Sequence, residues 1–250
     1  MRFQAPIFVA ILCSCAAAAC GGDESSSTGG TGGTGGGGGT GGGDQTSTVS
    51  GVVVSRADTE TPVAGVTVSV FGTSLSTTTD ADGLFTLSNV PNGDRFFVTT
   101  VDGAWGMVDY WVVPGETANG AILGVIPDSE IALVEAALER TISDTDGAVD
   151  VTFYEGAEGG ETASLSASSD PPFTFALAGE PVEQDTVIAD SDGYGDLVFS
   201  SVDPADGPIT ATVSGAPGVT DCFVDESPGT TYPILAKAIT IVYAYCMPAQ

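Results

Sequence analysis

The chain has no histidine, one lysine and few basic residues of any kind. Without an imidazole there is no ordinary general base near neutral pH and no histidine ligand for zinc. Ser-His-Asp and Cys-His catalysis are thereby excluded, as is any His-ligated peptidase site. Five basic side chains stand against 33 acidic ones, for a formal net charge of −28. Such a surface repels nucleic acid phosphates and anionic lipid head groups, so neither is an expected partner. Chemistry built on carboxylates is left, but no pair of them is placed for it by spacing alone. The expectation is a protein that is not an enzyme.

Long apolar runs are also scarce. The one at the N-terminus, "PIFVAILCSCAAAA", follows Arg2 and has 14 residues, too few to span a bilayer. Ala17, Ala18 and Ala19 lead directly into Cys20, and a polar "GGDESSS" follows. This arrangement resembles a bacterial lipoprotein signal peptide, although the leucine usual three places before the cysteine is missing. The resemblance implies that residues 1–19 are removed and that Cys20 is lipidated, with the lipid holding the protein to a membrane. Cys15, after "LCS", is a second site of this type, and simple cleavage to a free secreted product is the alternative outcome. Of the five cysteines, Cys222 and Cys246 then remain in the folded part. An even pair in an oxidising compartment is read as a disulfide; two buried free thiols are the other reading.

Residues 20–47 are rich in glycine and threonine and cannot bury a core, so they read as a flexible tether. About 27 such residues span roughly 30 Å on average. A lipid followed by a tether suits a body held off a membrane, in the bacterial cell envelope and with the outer membrane favoured.

From Thr48 onward short β-branched runs alternate with turn residues. Val52, Val53 and Val54 form one run, and in "GVTVSVF" Val66, Val68 and Val70 fall on one face. "GLFTLSNV" and "RFFVTTV" follow across the turn "PNGD". With "GVVV" at 51–54, "PVAGVTV" at 62–68, "TDADGLF" at 79–85 and "VPNG" at 90–93, this segment resembles the carboxypeptidase regulatory-like domain. That family has a transthyretin-like β-sandwich and is a non-catalytic accessory module. The resemblance, over about residues 49–103, implies a fold and an attachment or spacer role, with no active-site residues to transfer.

The second half echoes the first. "GAVDV" at 147–151 mirrors "GVVV", and "ADSDGYGDLVFSSVDPADGPITATVSG" mirrors "TDADGLFTLSNVPNGDRFFVTTVDG" with two short insertions. The predicted architecture is all-β: two tandem antiparallel β-sandwiches with one short connecting helix. Residues 48–118 make the first sandwich, 119–145 a linker with the helix, and 146–250 a second sandwich pinned by its disulfide. In the linker, Asp128 is the expected N-cap, with Ile131, Val134, Leu138 and Ile142 along one stripe.

Three sets of residues are weighed as sites. Asp80 and Asp82 before Gly83 lack the further carboxylates that a calcium loop needs, and read as a hairpin corner. Asp190 and Asp192, joined by Asp196, make a richer loop and are the calcium candidates; no other cofactor is expected. Trp105 and Trp111, with Tyr110, are the candidates for stacking on a glycan; the alternative is a buried seam. Lys237 is expected in a strand, discouraging edge pairing. The expected role is structural or binding, toward an unidentified envelope protein or a glycan, with calcium- or glycan-dependent adhesion as the alternative.

Overall fold

Val66, Val68 and Val70 point the same way because side chains alternate along a strand, and all three are completely buried or nearly so. The same alternation recurs from end to end in a computed structural model. It describes residues 45–249 apart from 116, 155, 178 and 226–230, and leaves out the side chains of 58–60. Eight strands come first: β1 (Thr46–Ser55), β2 (Asp58–Pro62), β3 (Thr67–Val70), β4 (Ser76–Thr78), β5 (Leu84–Pro91), β6 (Gly93–Thr100), β7 (Ala104–Val113) and β8 (Ala118–Pro127). The helix α1 (Asp128–Leu138) follows. Eight further strands complete the fold: β9 (Gly147–Tyr154), β10 (Thr162–Leu165), β11 (Phe173–Phe175), β12 (Pro181–Glu183), β13 (Gly195–Val202), β14 (Ala211–Ser214), β15 (Thr220–Val224) and β16 (Ala238–Pro248).

In the first unit β1 lies between β5, antiparallel, and β8, parallel. The opposing layer runs β4-β3-β6-β7. Val49 and Val53 of β1, Phe85 and Leu87 of β5, and Val68 and Phe97 of the other layer meet in one apolar core. This is a sandwich. The second unit repeats the plan: β9 lies between β13, antiparallel, and β16, parallel. Its smaller facing sheet is β10-β14. Val151, Phe153, Leu197, Val242 and Ala244 form its core, with Leu165 and Val213 packed from across. The two sandwiches are predominantly antiparallel, and three of their pairings are parallel.

The units are not beads on a string. β7 of the first pairs in parallel with β16 of the second, from Gly106↔Ala238 to Val108↔Thr240. Trp105 and Met107 thereby meet Ala148, Ile239 and Ile241 in a separate apolar seam, which also takes in Ile142 and the Ile131 and Val134 face of α1. Residues 119–127, expected to begin the linker, instead belong to β8, a strand with Ala121, Leu123 and Val125 in the first core. Glycines at 120 and 124 interrupt the apolar run and hid that strand from pattern reading. Asp128 is not the N-cap of α1. Pro127 holds that position without a side-chain bond, and Asp128 is the first helical residue. Lys237 is likewise not in a strand: it precedes β16 with φ 52° and pairs with Asp128 at 3.0 Å and Asp144 at 3.4 Å. Among the described residues no helix is long and apolar enough to cross a membrane.

Candidate functional site

The two Asp-Gly corners are built alike. Asp80 Oδ1 accepts the N–H groups of Asp82 and Leu84, both at 2.9 Å. Asp190 Oδ1 accepts those of Asp192 and Tyr194, at 2.9 and 3.0 Å. In each the glycine three residues on has positive φ, 72° at Gly83 and 81° at Gly193, a backbone region open to glycine without steric cost. The backbone bonds match as well: Asp80 with Leu84 and Gly83, Asp190 with Tyr194 and Gly193. The aspartate side chain is thus spent on its own turn.

That use bears on calcium. One oxygen of Asp190 is occupied by two amides, Asp192 is exposed, and Asp196 sits in β13 opposite Thr152. Asp190, Asp192 and Asp196 are therefore near in sequence but do not converge as ligands. Among the described residues three acidic or sulfur ligand atoms gather within 4.8 Å of one another at Glu161, Cys222 and Cys246, and the two sulfurs are already bonded to each other. Millimolar calcium or EDTA is expected to leave the thermal transition of the full chain within about 1 °C, since only preferential binding to the native state moves it. A rise of several degrees with calcium would show that the loop rearranges around an ion.

Trp105 is 1% exposed and lies in the seam, so it cannot stack on a sugar. This corrects the expectation of a Trp105–Trp111 platform: burial of a large indole between two units won over exposure. Trp111 is half-buried against the first core. Tyr110 is edge-on to Phe96 and donates to Asp94 at 2.8 Å. The lipidation residue Cys20 lies outside the described residues.

The disulfide Cys222–Cys246 is present, joining directly opposed residues of β15 and β16. Beside it stands a residue that pattern reading missed. Glu161 is fully buried, where Val66 stands in the first unit. The equivalence follows from matching bonds, Gly65 and Val66 with Thr79, Gly160 and Glu161 with Val187. Its carboxylate accepts the N–H groups of Glu158 and Gly159, both at 2.9 Å, and the Thr220 hydroxyl at 3.0 Å. A buried carboxylate held this way is structural.

On the outer face of the sheet that crosses both units lies the other unforeseen group. Tyr243 of β16 donates to Asp109 of β7 at 3.0 Å, and Asp150 of β9 lies near Asp196 of β13, with Thr152 between them. Burial pushes the Asp109 carboxyl up to about 6, partly offset by the Tyr243 hydrogen bond and the Arg56 charge. Burial raises Asp150 and Asp196 too; the neighbouring carboxylate adds to the effect at Asp150, and Arg56 opposes it at both. Burial together with the Asp109 charge raises the Tyr243 phenol.

A carboxyl that binds its proton more tightly when folded stabilises most below its unfolded pKa, near 3.9, and that contribution is lost as pH rises through the folded value. For Asp109 the difference between about 6 and the unfolded value amounts to roughly 2–3 kcal/mol. Urea unfolding is therefore expected to show a higher midpoint at pH 5 than at pH 7, with Asp109→Asn flattening part of the slope. A midpoint that falls from pH 7 to pH 5 would contradict this.

With this geometry in hand the class is plain: a β protein of two joined sandwiches whose polar groups serve turns, a buried bond network and one sheet face. Residues 49–104 match the family model of the CarboxypepD_reg-like domain, in agreement with the resemblance read from the sequence. Solved structures similar to the chain include the Bacillus anthracis TIE protein, at 17% identity and TM-score 0.26, covering 80% of this chain and 34% of that one. A Streptococcal ancillary pilin aligns at 14% identity and TM-score 0.25, over 82% of this chain and 63% of its own. The shaft pilin SpaA from Lactobacillus rhamnosus GG aligns at 12% identity and TM-score 0.25, over 82% and 98%. The chain thus spans under two thirds of the length of the first two. No curated protein matches the sequence.

Proposed function

We propose that the chain is a non-enzymatic protein of the bacterial cell envelope, tethered by a lipid on Cys20 and presenting its two sandwiches for a structural or binding role, with the outer membrane as the favoured site. The observation that carries this reading is the β7–β16 pairing with its apolar seam. Two sandwiches sharing a sheet resist bending between them, which suits a spacer or a display body at the end of a Gly/Thr tether. The lack of histidine and the placement of Asp109, Asp150 and Asp196 along a sheet face support a role without catalysis. Mass spectrometry of the mature N-terminus from a diderm bacterial host tests the anchor. A diacylglyceryl-modified Cys20 is expected, and Cys20→Ser is expected to shift the protein from the membrane to the soluble fraction. An unmodified N-terminus generated elsewhere would overturn it.

A further inference from the structure

The second sandwich carries an aromatic row on its outer face. Phe223 of β15 stands opposite Tyr245 of β16, with ring centres 6.0 Å apart and planes at 28°. Tyr245 stands opposite Tyr154 of β9, at 5.9 Å and 77°. Tyr154 in turn meets Tyr194, the residue before β13, at 4.8 Å and 80°. Their chain neighbours Val224, Ala244, Cys246 and Phe153 point the other way, into or against the second core. Alternation along the strands therefore puts the whole row outside. Phe223 is 47% exposed, and Met247 beside it 53%.

Carboxylates border the row on both sides. Asp221 faces Met247 on one side. On the other, two residues along the strands, Asp225 N–H bonds to the Tyr243 carbonyl and Asp196 stands opposite Thr152, with Asp150 one step further. Arg56 is the cation that acts on Asp150 and Asp196. Arg95 is held by the carbonyls of Pro91, Asn92 and Asp94, Arg140 by Pro171 and the Phe173 ring, and Lys237 by Asp128 and Asp144. Among the described residues the charged side chains of this face are thus mostly acidic.

We propose that this strip docks a basic, extended segment of a partner protein, with Lys or Arg side chains laid along Phe223, Tyr245, Tyr154 and Tyr194. Their charged heads reach Asp221 on one side and Asp225 on the other. Aromatic faces attract ammonium and guanidinium groups through the ring quadrupole, and the carboxylates add charge-assisted bonds. Four strands set about 4.8 Å apart make a row roughly 14 Å long. That length takes about four extended residues, of which alternate ones face the strip. A second copy of this chain is disfavoured because its net charge of −28 repels itself. A neutral glycan suits the row less, since two of its three ring contacts are edge to face and break up a continuous flat platform. The proposal names a face and a partner chemistry for the binding role suggested above, and it is read independently of the anchor, which the N-terminal mass decides.

The test is fluorescence anisotropy of the full chain with a labelled decapeptide alternating lysine and serine, at physiological salt. Saturable binding is expected, weakened at least tenfold by Phe223→Ser with Tyr245→Leu and by Asp221→Asn with Asp225→Asn. The glutamate–serine peptide is expected not to bind, and a neutral hexasaccharide not to compete. Asp102→Asn with Glu130→Gln removes the same charge from the first unit and helix and is expected to leave affinity within twofold. Phe223→Ser alone, at an exposed position, separates loss of the strip from loss of the fold. Equal weakening by both charge pairs would reduce the binding to general attraction and overturn the proposal. So would indifference to the aromatic substitutions, or displacement by the hexasaccharide.

Discussion

Trp105→Ala is expected to destabilise the protein by about 3–5 kcal/mol, the range for emptying a buried tryptophan site. Trp105 is 1% exposed and is the largest of the fully buried side chains. It lies where β7 leaves the first core and pairs with β16, packed with Met107, Ile142, Ala148, Ile239 and Ile241. The loss therefore falls on the junction rather than within either sandwich. Urea unfolding is expected to become less cooperative, with the two units separating into distinct transitions, because the seam is what couples them. Trp111→Ala, at a half-buried position on the neighbouring stretch, is expected to cost less than half as much. A Trp105→Ala penalty below about 1 kcal/mol, or one smaller than that of Trp111→Ala, would show that the seam does not hold the units together.

Removing the disulfide by Cys222→Ala with Cys246→Ala is expected to cost about 3 kcal/mol. The bond closes a loop with a sequence separation of 24, and the chain-entropy estimate for such a loop lies near that value. The effect should be confined to the second unit. Among the described residues β15 has its ladder with β16 alone, so the covalent link fixes the register of an edge strand. The buried Glu161 depends on that register, since its third partner is the Thr220 hydroxyl at the start of β15. A reducing agent should lower the wild-type midpoint to that of the double variant and leave the variant unchanged. If reduction leaves the wild type where it was, the bond contributes nothing to the native state.

Much of the fold was legible because it rests on local rules. Alternation at Val66, Val68 and Val70 and the Asp-Gly corners at 80–83 and 190–193 are short-range signals, and each corner closes with bonds inside five residues. The echo between the halves held to the level of equivalent hydrogen bonds. β8 was less legible, because its partner β1 is about 70 residues away and pairing in parallel leaves no hairpin signal. Trp105 was ambiguous for the same reason: an apolar strand reads alike whether its outer face meets solvent or a second domain. The carboxylates Asp109, Asp150 and Asp196 come from three separate strands, so no spacing in the chain announces them. The same holds for Tyr154, Tyr194, Phe223 and Tyr245, although "FY", "GYGD", "CFV" and "YAYC" each placed an aromatic at a strand or corner position.

The sequence by itself determined the all-β class, the repeated corner and the exclusion of histidine chemistry, and it offered Cys222 and Cys246 as a candidate pair. These follow from residue type, period and count, which need no knowledge of distant contacts. Only the tertiary structure decided that the two sandwiches share a sheet, that Trp105 is sealed between them, and that Glu161 takes an apolar position in the second unit. It alone aligned an aromatic row and its flanking acids on one face. Each of these depends on strand partners far apart in the chain, and register between distant strands is set by packing of the whole core.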